Sequence, residues 1–181
     1  MSSPRFTPDA DAAYSVQDYS PKAAIEGLEV HELARFNDDG GAMTELARLD
    51  AGAVKGLEGF EARQINFSVM EPGAIKAFHL HTRQTDVWFV PPSDKGLLVV
   101  GDVRAGSPTA GEVRRIVLGD TRSRLIRIAP GIAHGVRNLM PDRPLTIVYF
   151  VDVQFSTDEH CDEGRLPWDH FGAEVWETER G

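Results

Sequence analysis

A succession of short, β-rich runs cut by turn residues constrains this 181-residue chain more than any other feature. Residues 64–69 alternate Gln64, Asn66 and Ser68 with Ile65, Phe67 and Val69. Residues 75–81 follow Pro72-Gly73, and residues 86–90 are stopped by Pro91-Pro92. Residues 97–103 lie between Gly96 and Gly106-Ser107-Pro108. Residues 113–118 end at Gly119-Asp120, and residues 125–129 end at Pro130-Gly131. Residues 145–155 form the longest run. Proline donates no backbone N–H and glycine supplies turn conformations, so this punctuation ends strands rather than interrupting helices. Many short strands at such spacing predict an all-β sandwich or barrel with few short helices. Only residues 42–49 read as helical, with Met43, Leu46 and Leu49 three apart. Residues 1–24, rich in Ser, Pro, Asp and Ala, read as an N-terminal arm. Residues 25–181 are then a single barrel domain, long enough to bury one substantial core.

Charge and cysteine content narrow the function classes. The net charge is −9, from 19 basic and 28 acidic residues. A protein that neutralises nucleic-acid phosphates carries the opposite sign, so no nucleic-acid partner is expected. The longest apolar run, around residues 145–151, is far short of the roughly 20 residues of a membrane-spanning helix, and no membrane association is expected. The one cysteine, Cys161, has acidic neighbours that disfavour a thiolate, so it is not read as a nucleophile. With no apolar leader read at the N-terminus, a cytoplasmic location is expected.

The chemistry-bearing residues gather on the predicted strands. Side chains at i and i+2 of a strand share a face. His79 and His81 therefore point the same way, as do Asp86 and Trp88, and Tyr149 shares a face with Val151, Val153 and Phe155. Strict alternation puts Lys76 on the face opposite His79. His134 follows the Pro130-Gly131 turn at the start of another extended segment. Three imidazoles and a carboxylate suit Fe, Mn, Zn, Co or Ni and leave positions open for a ligand. The run Gly73, five residues, His79-x-His81, four residues, Asp86 resembles the first metal motif of the cupin barrels, with Asp86 where that motif has glutamate. Pro130-Gly131-x-x-His134-x-x-x-Asn138 resembles the second.

A longer resemblance covers most of the chain. Asp38-Asp39-Gly40-Gly41-Ala42-Met43-Thr44-Glu45, Arg63-Gln64-x-Asn66-x-Ser68, Gly73-x-x-Lys76-Ala77-Phe78-His79, Asp102-Val103-Arg104-x-Gly106-Ser107-Pro108-Thr109, Pro130-Gly131-x-Ala133-His134-Gly135, Tyr149 and Trp168-Asp169 through Trp176 recur in order. The chain is similar to the dTDP-4-dehydrorhamnose 3,5-epimerase family, a branch of the cupin superfamily, as a divergent member. The resemblance implies a cupin-type jelly-roll β-barrel, a homodimer with swapped N-terminal strands, and a nucleotide-linked 4-keto-6-deoxy sugar as small-molecule substrate. It implies an isomerase of carbohydrate biosynthesis that needs no cofactor, with His79 as base and Tyr149 as acid. Removing a proton beside a ketone needs a base that titrates near the operating pH, which histidine provides, and a donor on the opposite face.

Arg63, Gln64, Asn66, Lys76, His81, Asp86, His134 and Phe155 fall at substrate-binding positions on this resemblance. Several of them depart from the family's residues. Asp86 stands at a lysine position, His81 at a glutamine, Lys76 at an arginine and Phe155 at a tyrosine that stacks on the base. The family's carboxylate partner for the base lies in a C-terminal tail that has no match here. Two other readings stay open. One is a metal-dependent cupin enzyme, isomerase or dioxygenase, holding a divalent transition metal with His79, His81, Asp86 and His134. The other is a sugar-binding cupin without catalysis.

Overall fold

The computed structural model describes residues 6–20 and 24–178. Residues 1–5 and 21–23 of the expected arm, and residues 179–181 of the expected domain, lie outside the described residues. Fourteen strands follow a short helix α1 (Pro8–Ala13): β1 (Leu28–Glu32), β2 (Arg35–Asp38), β3 (Gly41–Thr44), β4 (Leu49–Asp50), β5 (Ala53–Val54), β6 (Gln64–Met70), β7 (Ile75–Leu80), β8 (Asp86–Phe89), β9 (Lys95–Asp102), β10 (Val113–Gly119), β11 (Arg124–Ile128), β12 (Ile132–Asn138), β13 (Leu145–Val151) and β14 (Gly164–Arg165). A 3₁₀ turn, Ala173–Trp176, closes the described chain. No helix among the described residues is long and apolar enough to cross a membrane.

Two five-stranded antiparallel sheets form the jelly roll, ordered β1-β11-β8-β13-β6 and β10-β9-β12-β7-β14. Their inner faces meet in one apolar cluster that includes Met70, Trp88, Leu98, Val100, Ile126, Val136, Leu145 and Ile147. Ile25, 2% exposed, is the first described residue to join it. Each outer face is also covered in part. The segment after β3 lays Val54, Leu57 and Phe60 over Val87, Phe89, Leu125 and Phe150. The C-terminal segment lays Trp176 and Phe171 over Phe78, Leu97, Val99 and Ala133. This double cover explains why β8 is buried at every position, with Asp86 and Trp88 on one face and Val87 and Phe89 on the other.

Two local readings of the sequence are corrected. Residues 42–49 are not a helix: β2 and β3 form a hairpin closed at Asp39-Gly40, and Met43 and Leu49 are exposed while Leu46 packs beneath. A spacing of three that buries only its middle member makes no helical stripe. The run read as the longest strand ends at Val151 rather than running to 155, where Asp152 accepts the Thr85 N–H at 2.7 Å, and β9, with eight residues, is longer. Phe155 therefore does not share a strand face with Tyr149. His134 is the third residue of β12, which begins directly after the Pro130-Gly131 turn as expected.

The specific run after β9 proves to be a structural knot. The buried Asp102 carboxylate accepts from Arg104 Nε and Nη2, both at 2.8 Å, from Ser107 Oγ at 2.5 Å and from Thr109 Oγ1 at 2.7 Å. Arg104 in turn donates to the Glu26 carbonyl at 2.5 Å, and Thr109 Oγ1 accepts the Glu26 N–H at 3.1 Å. The knot thus fastens the strand that opens the barrel. The Arg104 guanidinium and the surrounding hydroxyls, outweighing burial, hold the Asp102 carboxyl well below the usual carboxylate range. Asp102→Ala leaves Arg104, Ser107 and Thr109 without their acceptor, and should destabilise the fold by about 3 kcal/mol in denaturant unfolding. A loss under about 0.5 kcal/mol, the scale of an ordinary surface change, would refute this role.

Candidate active site

A cavity of about 470 Å³ opens between the two sheets and is lined by His79, His81, Asp86, Trp88, Tyr149 and Arg165, among others. That is the size of a small-molecule site, typically about 300–1,000 Å³. His79 projects from β7 and Tyr149 from β13, so the two groups enter it from opposite sheets. Tyr149 pairs in register with Trp88 of β8, and the rings lie 6.2 Å apart.

The β7–β12 pairing decides which residues face the cavity. His134 is opposite His79, yet Val136 is opposite Lys76, so three steps on β7 match two on β12. That is a β-bulge, and it resets the alternation. Lys76 and His79 therefore both line the cavity, whereas strict alternation separates them. Phe78 between them turns to the outer cluster. Close approach of the two strands requires Gly135, since a Cβ there would lie 2.3 Å from that of Ala77.

Each imidazole has a defined environment. His79 Nε2 accepts from Arg165 Nη1 at 2.8 Å, so the ring is neutral with its proton on Nδ1, 3.8 Å from Glu163 Oε2. Burial, then the neighbouring His134, Arg165 and His81, lower its pKa to about 3. His81 Nδ1 donates to the Asp162 carbonyl at 2.6 Å, and His134 Nδ1 to the Ile132 carbonyl at 3.0 Å. Both therefore turn an unprotonated Nε2 toward Asp86, at 3.8 Å and 3.4 Å, and that of His81 also accepts from Gln84 Nε2 at 3.4 Å. Burial alone would raise the Asp86 carboxyl. The Trp88 indole N–H at 2.9 Å and the Gln84 amide at 2.8 Å donate to it and favour the ionised form. The Tyr149 phenol is shifted upward, by burial first and then by Asp86 and Glu163. It keeps its proton at neutral pH and remains a donor.

The expected binding residues separate. Lys76, His81 and Asp86 line the cavity. Gln64 and Asn66 lie on the same face of β6 as the lining residues Ser68 and Met70, joined by a 2.7 Å hydrogen bond. His134 packs behind, with its ring parallel to His79 at 5.8 Å. Arg63 and Phe155 are outside the lining. Arg63 is exposed and paired with Glu61 at 2.7 Å, and Phe155 is 58% exposed, its N–H bonded to Gln64 Oε1. Asn138 of the second motif is a clamp, donating to the carbonyls of Met70, Glu71 and Arg143. Of the four proposed metal donors, His81, Asp86 and His134 form one compact group, while His79 groups instead with His81 and Glu163.

Glu163, Arg165 and Asp162 escaped the sequence reading. They arrive on a loop that adds the two-residue strand β14 beside β7, with Arg165 opposite His79. A Gly-Arg strand in an acidic stretch carries no periodicity to read. Asp162 fixes the loop by accepting from the N–H groups of Thr82, Arg83 and Gln84 and from the Thr82 hydroxyl at 2.6–3.0 Å. Burial is outweighed by these donors, led by the Thr82 hydroxyl, and the carboxyl pKa falls to about 2 from an ordinary 3.8. A depressed carboxyl stabilises the fold above the ordinary value and loses that contribution as pH falls toward the folded value. Wild-type stability should therefore decline between pH 3.8 and about 2, and Asp162→Asn should flatten part of that decline in thermal melts. An unchanged acid limb would show that Asp162 does not hold the loop.

The family model for dTDP-4-dehydrorhamnose 3,5-epimerase matches residues 22–174. The chain is 39% identical over 145 residues to the spore coat polysaccharide biosynthesis protein SpsL of Bacillus subtilis (strain 168), covering 80% of this chain and 91% of that one. Among solved structures it is similar to a dTDP sugar isomerase from Desulfovibrio desulfuricans G20, with a TM-score of 0.70 and 26% identity over 81% of this chain and 88% of that one. It is also similar to ChmJ, a 3′-monoepimerase from Streptomyces bikiniensis in complex with dTDP-quinovose, with a TM-score of 0.67 and 26% identity over 81% and 73% of the two chains.

Proposed function

Because the chain belongs to the dTDP-4-dehydrorhamnose 3,5-epimerase family, we propose that it inverts a carbon beside the ketone of a nucleotide-linked 4-keto-6-deoxy sugar, with His79 as base and Tyr149 as acid. That it is an epimerase-type isomerase follows from the family. The particular sugar and the roles of the residues are the proposal. One observation carries it: a neutral imidazole and a protonated phenol enter the same cavity from opposite sheets.

The chemistry balances without a redox change. His79 Nε2 takes the proton, and the C–H electron pair moves into an enolate with its charge on the former ketone oxygen. The Tyr149 O–H returns a proton to the same carbon from the other face. Both groups recover their starting states by exchange with solvent. Lys76 and Arg165, the cations lining the cavity, supply the positive charge an enolate oxygen needs. Arg165 holds the base atom of His79 in the free protein, so it must leave the ring as the sugar enters. Its departure frees the Nε2 lone pair and removes one of the causes that lower the imidazole's basicity, after burial and His134. This scheme uses no cofactor.

Incubating the protein with dTDP-4-keto-6-deoxyglucose in D₂O should wash deuterium into a carbon flanking the ketone. His79→Asn and Tyr149→Phe should each slow this by about 10²–10⁴-fold while leaving the melting temperature near wild type. Exchange at the wild-type rate in either folded variant sinks the role of that residue. Exchange with a differently linked keto sugar alone would keep the chemistry and replace the nucleotide.

A homodimer is part of the same reading. Edge strand β6 turns Ile65, Phe67 and Val69 outward at 54%, 70% and 47% exposure, while its polar residues face inward. An apolar row on an open sheet edge supports pairing with a second copy. Phe67→Glu should convert a dimer to a monomer in sedimentation velocity. A wild-type monomer at micromolar concentration would contradict the pairing.

A further inference from the structure

We infer that His81, Asp86 and His134 form a binding site for one divalent first-row transition metal, distinct from the proton-transfer residue His79. The three side chains are 3%, 3% and 2% exposed. Their ligand atoms all lie within 4.8 Å of one another. Around a tetrahedral ion, with bonds of about 2.0–2.2 Å to imidazole and carboxylate, donor atoms stand about 3.4 Å apart. His134 Nε2 lies 3.4 Å from Asp86 Oδ2, and His81 Nε2 lies 3.8 Å from Asp86 Oδ1. Two of the three spacings are thus at or near those of a coordinated ion.

The hydrogen bonding makes the same point independently. His134 Nε2 is a buried nitrogen with no hydrogen-bond partner. A buried polar atom left so costs about 1–3 kcal/mol unless something occupies it. Its Nδ1 proton is committed to the Ile132 carbonyl, and that of His81 to the Asp162 carbonyl. Backbone carbonyls that fix Nδ1–H and leave Nε2 unprotonated are the usual outer partners of metal-binding histidines, and the one contact His81 Nε2 makes, with Gln84 Nε2, is long at 3.4 Å. Asp86 is oriented in the same way. Gln84 Nε2 donates to Oδ1 at 2.8 Å and Trp88 Nε1 to Oδ2 at 2.9 Å, leaving each oxygen a lone pair toward an imidazole. The competing arrangement is an imidazolium bonded to Asp86. At 3.4 Å that contact is well beyond the 2.7–2.9 Å of a charge-assisted hydrogen bond.

Two imidazoles and one carboxylate select Zn, Fe, Mn, Co or Ni over Mg or Ca. His81 and Asp86 line the cavity, so further positions of the ion would be open to a ligand there. An ion so placed supplies Lewis-acid polarisation of a ligand oxygen. Because His79 is outside the group, a metal and a free base are compatible in this chain.

The test needs no substrate. Untagged protein, stripped with a chelator and titrated with Zn²⁺ or Co²⁺, should take up about one ion per chain by elemental analysis, and Co²⁺ should develop the intense visible bands of a low-coordinate site. Excess metal should raise the melting temperature. Asp86→Asn and His134→Gln should each weaken binding at least about tenfold to a hundredfold, the scale of losing a ligand or its support. His79→Asn should bind as wild type although it loses isotope exchange. Wild-type protein that takes up no metal overturns the inference, whether or not the variants fold. Loss of the metal in His79→Asn, with retention in Asp86→Asn, overturns the assignment of the donors.

Discussion

Everything around the cavity depends on the burial of one carboxylate. Asp86 is 3% exposed on a strand covered on both faces, where an isolated charge would be prohibitive. Gln84 and Trp88 donate to its two oxygens, and the Nε2 atoms of two imidazoles face it across the gap in which the inferred cation would balance its charge. Those imidazoles are held by two backbone carbonyls, that of Asp162 in the 158–165 loop and that of Ile132 at the start of β12. The same network links the tautomers of His81 and His134 to the 82–85 turn and the 158–165 loop through Asp162. Partly satisfied polar networks are costly, which gives this one strong influence over the surrounding structure.

His79 lies at the edge of that network rather than inside it. Its ring stacks beside His134, and β14 brings a cation to one nitrogen and a carboxylate near the other. The environment keeps the imidazole neutral, with the base atom covered by a group that is itself able to bind a sugar oxygen or a phosphate. Tyr149, from the other sheet, is kept protonated by burial and by the same carboxylates. Acid and base are thus assigned by their surroundings, and the two sheets of the jelly roll set the gap between them.

Much of the fold was legible because strand punctuation is local. Proline and glycine pairs end the runs, and the alternation of Gln64, Asn66 and Ser68 with Ile65, Phe67 and Val69 appears unaltered in β6. The histidine spacing put His79 and His81 on one strand. Other features were hidden for physical reasons. The bulge opposite His134 brings Lys76 to the cavity, and a bulge depends on the partner strand rather than on β7 alone. Glu163 and Arg165 reach His79 only because Asp162 ties down a loop with no strand pattern of its own. Tyr149, on an apolar strand, reads as core from its neighbours, and the family resemblance alone singled it out. Arg63 and Phe155 went the other way: both were expected at the ligand, and both face outward beyond its walls.

The most direct measurement is a crystal structure of the protein with a nucleotide-linked 4-keto-6-deoxy sugar bound. The account predicts a carbon flanking the ketone about 3–3.5 Å from His79 Nε2, the Tyr149 hydroxyl on the opposite face of that carbon, and Arg165 moved from the imidazole onto the ligand. A sugar bound elsewhere, with Arg165 still on His79, would contradict it.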